Sequence, residues 1–95
     1  FPVSVANVES TITSVDLYPN PATDVLNVAV KLEKEAKQVR YTVFDQMGKR
    51  ISYEYHHNVK NDVYQVETNK LPAGSYFLMV SADGVQTMKQ FTIVK

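Results

Sequence analysis

Ninety-five residues suffice for one domain with a small core, and ten acidic against ten basic residues leave a formal net charge of zero. Charges of both signs are interspersed, with no basic block to neutralise phosphates, which argues against a nucleic-acid surface. Cysteine is absent, so disulfide staples and thiol chemistry are excluded, and no apolar run has the length of a membrane-spanning helix.

The chain opens on Phe1 rather than Met and reads as a fragment or processed product, with any signal peptide expected in a longer parent. Phe1 to Thr13, rich in Ser, Thr, Val and Asn, carries no turn punctuation and no long apolar face. It reads as a linker, the alternative being a short added strand. From Val15 onward the apolar residues recur with period two. Leu26, Val28, Val30 and Leu32 alternate with polar or small residues, as do Val39, Tyr41 and Val43, then Ile51, Tyr53 and Tyr55, then Tyr64, Val66 and Thr68, then Tyr76, Leu78 and Val80. One apolar face per strand is the mark of a half-buried antiparallel sheet. Glu33 to Gln38 is short and charged and is read as a loop.

Turn chemistry separates these runs. Asp45-Gln46-Met47-Gly48 has Asp first and Gly fourth, as in a type I turn that closes a hairpin with a bulge. Leu71-Pro72-Ala73-Gly74 places Pro second and Gly fourth, another type I signal. Asp83-Gly84 is a two-residue type I′ signal. Pro19 and Pro21 stop strand pairing and bend the chain. The expected strands are 14–18, 24–32, 38–45, 49–57, 62–68, 75–82 and 85–94. They predict an all-β fold: a seven-stranded antiparallel two-sheet sandwich of immunoglobulin-like architecture. The expected core is Leu26, Val28, Val30, Val43, Ile51, Val66, Tyr76, Leu78 and Val80, with Tyr53, Tyr55 and Tyr64 also facing inward. Phe44, Phe77 and Met79 fall on the opposite face, where they form a candidate docking patch or are covered by loops. A two-residue loop at Asp83-Gly84 sets Tyr76 opposite Phe91 and Leu78 opposite Lys89. Lys89 then shares the face of Phe91 and Ile93, so either the register slips or the lysine reaches the sheet rim.

No catalytic constellation emerges. His56 and His57 are the only histidines, and as strand neighbours they point to opposite faces, so they cannot readily share a metal. His56 reads as a polar strand end. No nucleophile elbow and no glycine-rich phosphate loop is present; a carboxylate pair for glycoside hydrolysis stays open, but the ten acids are scattered and a sandwich this small has little room for a deep cleft. No enzyme activity and no cofactor is expected.

Tyr18-Pro19-Asn20-Pro21, the Asp45-x-x-Gly48-Lys49 turn and the Leu71-Pro72-Ala73-Gly74-Ser75-Tyr76 corner follow in order, ahead of a last strand carrying Lys89, Phe91, Ile93 and Lys95. This ordered set resembles the C-terminal sorting domain of the type IX secretion system of Bacteroidetes-type bacteria, the Por secretion system type A family, over Val15 to Lys95. The resemblance implies a sorting signal in residues 14–95 that directs cargo through an outer-membrane translocon, with a sortase cleavage region in residues 1–13. It implies partners of three kinds: the translocon, the sortase and N-terminal cargo domains of the same parent chain. It also implies passage through the periplasm to the cell surface or the medium. The sorting residues would be those of the three motifs together with Lys89, Phe91, Ile93 and Lys95. Each motif can also be read as a corner that maintains the fold. Any homodimer is expected to form by strand exchange at a sandwich edge. The competing reading is a carbohydrate-binding or adhesin-like β-sandwich module, which requires an exposed aromatic platform on one sheet face.

Overall fold

The structure, a computed structural model, describes residues 12–95. Five strands succeed one another: β1 (Ile12–Tyr18), β2 (Val25–Asp45), β3 (Arg50–Glu67), β4 (Gly74–Ala82) and β5 (Val85–Ile93). All their pairings are antiparallel and belong to one sheet, and no helix occurs among the described residues. β2 is central. One of its edges pairs with β3. The other is shared, β1 taking Asn27 to Leu32 and β4 taking Val39 to Asp45, with β5 added outside β4.

Five strands replace the expected seven. The segments 24–32 and 38–45 are one strand, β2, and 49–57 and 62–68 are one strand, β3. Glu33 to Gln38 is strand and not loop, because Leu32 and Ala36 are buried inside the charged stretch. The sequence nevertheless marks a real irregularity there. Lys31 pairs with Asn61 and Ala36 with Val59, so residues 32–35 of β2 stand against Lys60 alone. Extra residues on one strand of a pair bend the ladder. Two residues before Lys60, Asn58 takes a positive φ of 55°, a conformation that asparagine tolerates better than most residues. The long β2–β3 hairpin therefore folds back on itself. Tyr41, on one side of the bend, stacks on Tyr64, on the other, with ring centroids 4.6 Å apart. The result is one curled sheet, where two separate sheets were expected.

The core lies inside the curl. Leu26, Val28, Val30, Val43, Val66, Tyr76, Leu78 and Val80 are buried there as expected, with Leu32, Val39, Tyr41, Phe91 and Ile93 added. The buried parity on β2 changes from even to odd across the bend, as a bulge requires. A second irregularity overturns three expectations. Val43 pairs with Ser52 but Phe44 pairs with Arg50, so Ile51 is an extra residue on β3. It is 37% exposed, and Tyr53 and Tyr55 turn outward at 50% and 42%. Ser52, Glu54 and His56 take the inward parity instead, opposite Val43, Tyr41 and Val39.

The last hairpin keeps its expected register. Asp83 and Gly84 have φ of 46° and 95°, the paired positive values of a type I′ turn. Lys89 lies opposite Leu78 without a slip and is exposed, while Phe91 and Ile93 are buried. At the other end β1 begins at Ile12, which pairs with Leu32 and packs against the core. The expected linker otherwise lies outside the described residues.

Candidate functional site

The three motifs meet at one corner of the fold, and the last strand closes it. Tyr18 ends β1, and the peptide bonds before Pro19 and Pro21 are both cis. The chain then lays Ala22, which is fully buried, beside Ile93 in a short parallel bridge. The Ala22 N–H donates to the Thr92 carbonyl at 2.8 Å, and the Val94 N–H donates to the Ala22 carbonyl at 2.9 Å. Asn20 Oδ1 accepts the Thr92 N–H at 3.2 Å. The Tyr-Pro-Asn-Pro segment is thus a clip on the edge of β5.

The segment after β3 binds the same clip from behind. The Asp24 carbonyl accepts the N–H groups of Thr68 and Asn69, and the Thr68 hydroxyl donates to the Thr23 carbonyl at 3.0 Å. Lys95 Nζ donates to the Asn69 carbonyl at 2.8 Å and to that of Thr68 at 3.3 Å. Leu71 to Gly74 is not the hydrogen-bonded turn that its Pro and Gly predict. Leu71 N–H donates to the Thr68 carbonyl, closing a turn three residues earlier, because Gly74 is already committed to β4 opposite Ile93. The Tyr76 hydroxyl then holds the loop by donating to the Pro72 carbonyl at 2.6 Å.

The Asp45 turn completes the corner. The Gly48 N–H donates to the Asp45 carbonyl at 3.0 Å, Asp45 Oδ1 accepts the N–H groups of Met47 and Lys49, and Gly48 has a φ of 85°. Asp and Gly are therefore needed for the turn itself. Asp45 lies opposite Tyr76 in the β2–β4 pairing, so the turn faces the Pro72 loop across a cleft of about 200 Å³. Met47 stands at its rim, 85% exposed. Of the expected sorting residues, Lys89 stands apart from this corner, exposed on β5.

The outer face of the sheet is apolar at one end. Phe44, Gly48, Phe77 and Met88 line a depression of about 260 Å³. Tyr53 and Tyr55 meet edge to face at 80°, and the Arg50 guanidinium covers the Tyr53 ring at 4.7 Å. Rings so inclined and covered do not form the flat platform that a sugar ring stacks on.

A cluster that periodicity did not mark lies at the bend. His56 Nδ1 is 2.5 Å from Asp62 Oδ2, and Nε2 is 2.7 Å from Glu54 Oε2. The Tyr41 hydroxyl donates to the same Asp62 oxygen at 2.6 Å. The His56 ring also meets Tyr41 and Tyr64 edge to face. Burial alone lowers the pKa of His56, but its bonds to Glu54 and Asp62 outweigh it and hold the pKa above the usual imidazole value. Burial and the Asp62 carboxylate together push the Tyr41 phenol well up, and burial, with Glu54, raises that of Tyr64. Among the described residues no group of three ligands is placed to hold a metal. Both ring nitrogens of His56 are already taken by carboxylates. The sequence signal was Asn58, a residue fit for a sharp bend, between two alternating runs.

A family model described as a secretion system C-terminal sorting domain matches residues 16–95. Comparison with curated proteins gives no match. Among solved structures, dimeric latent PorU from Porphyromonas gingivalis is similar with a TM-score of 0.65 at 17% identity, over 84% of this chain and 9% of PorU. The chain thus spans a small part of that protein, and the likeness is one of fold.

Proposed function

This chain belongs to the family of secretion system C-terminal sorting domains, and from that membership we propose that its three-dimensional corner is the export signal of a type IX cargo. The observation that carries this reading is the junction of Ala22 with Thr92 and Val94, which joins the first motif to the last strand. Residues scattered over more than seventy positions thereby present one surface, which a receptor meets only on the folded domain. In this reading the outer-membrane translocon engages the corner and adds a strand to the edge of β5 ahead of the clip at Thr92. A cell-surface sortase then cuts within residues 1–13, and the cargo passes from the periplasm to the cell surface or medium. The domain itself is a substrate with no catalytic role. The two arms of the curled sheet correspond to the layers of an immunoglobulin-like sandwich.

The test is a reporter carrying an inner-membrane signal peptide, with this chain fused at its C-terminus, expressed in a bacterium with a type IX system. Surface or extracellular reporter is expected, and deletion of Thr87 to Lys95 should leave it in the periplasm. Equal export with and without the domain would overturn the proposal.

A further inference from the structure

We propose that His56, held as an imidazolium between Glu54 and Asp62, is a pH-operated clasp across the bend of β3. Two ring nitrogens lie within hydrogen-bond distance of two carboxylate oxygens, at 2.5 and 2.7 Å. A neutral imidazole has one N–H and can satisfy one of them, whereas an imidazolium satisfies both. The geometry therefore needs the protonated ring. His56 and Asp62 lie on opposite sides of the positive-φ residue Asn58, so their bond ties the two arms of β3 together. The titratable groups facing the ring are Tyr41 from β2 and Glu54, Asp62 and Tyr64 from β3. Tyr41 reinforces the tie, since its hydroxyl donates to the same Asp62 oxygen that His56 uses.

Loss of the proton to solvent leaves one ring nitrogen as a lone pair turned toward a carboxylate. One of the two contacts becomes repulsive, and the arms lose their charged tie. The folded-state pKa is raised above that of a free imidazole, about 6.5. The stabilisation is therefore complete below about pH 6.5 and disappears as the pH rises through the folded value. The domain is firm in mildly acidic surroundings and loosens at its bend in alkaline ones.

The test is a titration of the 95-residue chain by NMR, following the ring carbons of His56. His56 is expected to titrate above the free imidazole value of about 6.5, and the amides of Val59 to Asp62 are expected to exchange faster once it has done so. In parallel, thermal unfolding is recorded from about pH 6 to pH 9, a range bracketing the free imidazole value. The melting temperature should fall with rising pH in the parent, and His56→Gln should show a shallower profile over this range. Glu54→Gln gives a second measure that keeps the ring, and it should lower the pKa of His56. Titration of His56 at or below the free imidazole value of about 6.5 would overturn the proposal, as would a His56→Gln profile with the parent's slope.

Discussion

The Tyr76 ring stacks on Phe91 with centroids 5.6 Å apart, while its hydroxyl, donating at 2.6 Å, holds the Pro72 carbonyl. One side chain thus joins the core to the loop that forms one wall of the corner. Tyr76→Phe keeps the stack and removes the loop bond, at a cost of about 1 kcal/mol. For a domain of this size that is a fall in melting temperature of roughly 4–8 °C. Phe91→Ala removes a fully buried ring and should cost about 3–5 kcal/mol. Thermal denaturation of the two variants should show this order, and a larger loss for Tyr76→Phe would mean that the loop bond outranks the core.

Ala22→Pro tests the clip on β5. Proline removes the N–H that donates to Thr92 while leaving the Ala22 carbonyl in place. The unpaired Thr92 carbonyl and the crowding of a fully buried site should together cost at least about 1–3 kcal/mol. Hydrogen exchange should speed up at Val94 before it does so in β2. Asn20→Ala, which removes the acceptor for Thr92 N–H, should do the same more weakly.

The two lysines of the tail should separate. Lys89 is exposed, and Lys89→Ala should leave the melting temperature within the error of the measurement. Lys95 binds two carbonyls of the Thr68 loop, and Lys95→Ala should cost up to about 1 kcal/mol. If Lys89→Ala folds normally yet holds its cargo in the periplasm, the edge of β5 is read directly. If only Lys95→Ala impairs export, the corner's integrity is what counts.

Asp83→Ala should be more harmful than an exposed turn substitution ordinarily is. The Asp83 carboxylate accepts the N–H groups of Lys37 and Gln38 at 2.9 and 3.1 Å, and its backbone sits at positive φ. Losing both acceptors, in a conformation alanine disfavours, should cost about 1–3 kcal/mol in urea unfolding. Asp83→Asn retains the turn conformation and should recover part of the loss.

Period-two alternation and turn residues made most of the core and the β4–β5 register legible, down to Tyr76 opposite Phe91. The places where the sequence misled are those where strand pairing breaks its own rule. Ile51 alternates with Tyr53 and Tyr55 as a core strand would, but one unpaired residue reverses which face they show. Nothing local distinguishes a bulge from a regular ladder there, because the partner strand decides it. The motifs of the corner were visible as turns, yet their meeting was not. The pairing of Ala22 with Ile93 is set by the curl of the whole sheet. The His56 clasp was hidden for the same reason, since six residues along a straight strand would hold His56 and Asp62 about 20 Å apart.

Asn20 and Thr92 are bonded across a sequence separation of 72 residues, which orders events in time. A chain growing from its N-terminus makes Tyr18 to Ala22 early, and these residues must wait for their partners until Thr92 to Val94 have been synthesised. Contacts so distant close slowly, because a long loop must be ordered before they return any free energy. A polypeptide broken off before Phe91 therefore lacks both the ring that fills the core and the edge that receives the clip. Completion of the fold reports that translation has run through to the last strand.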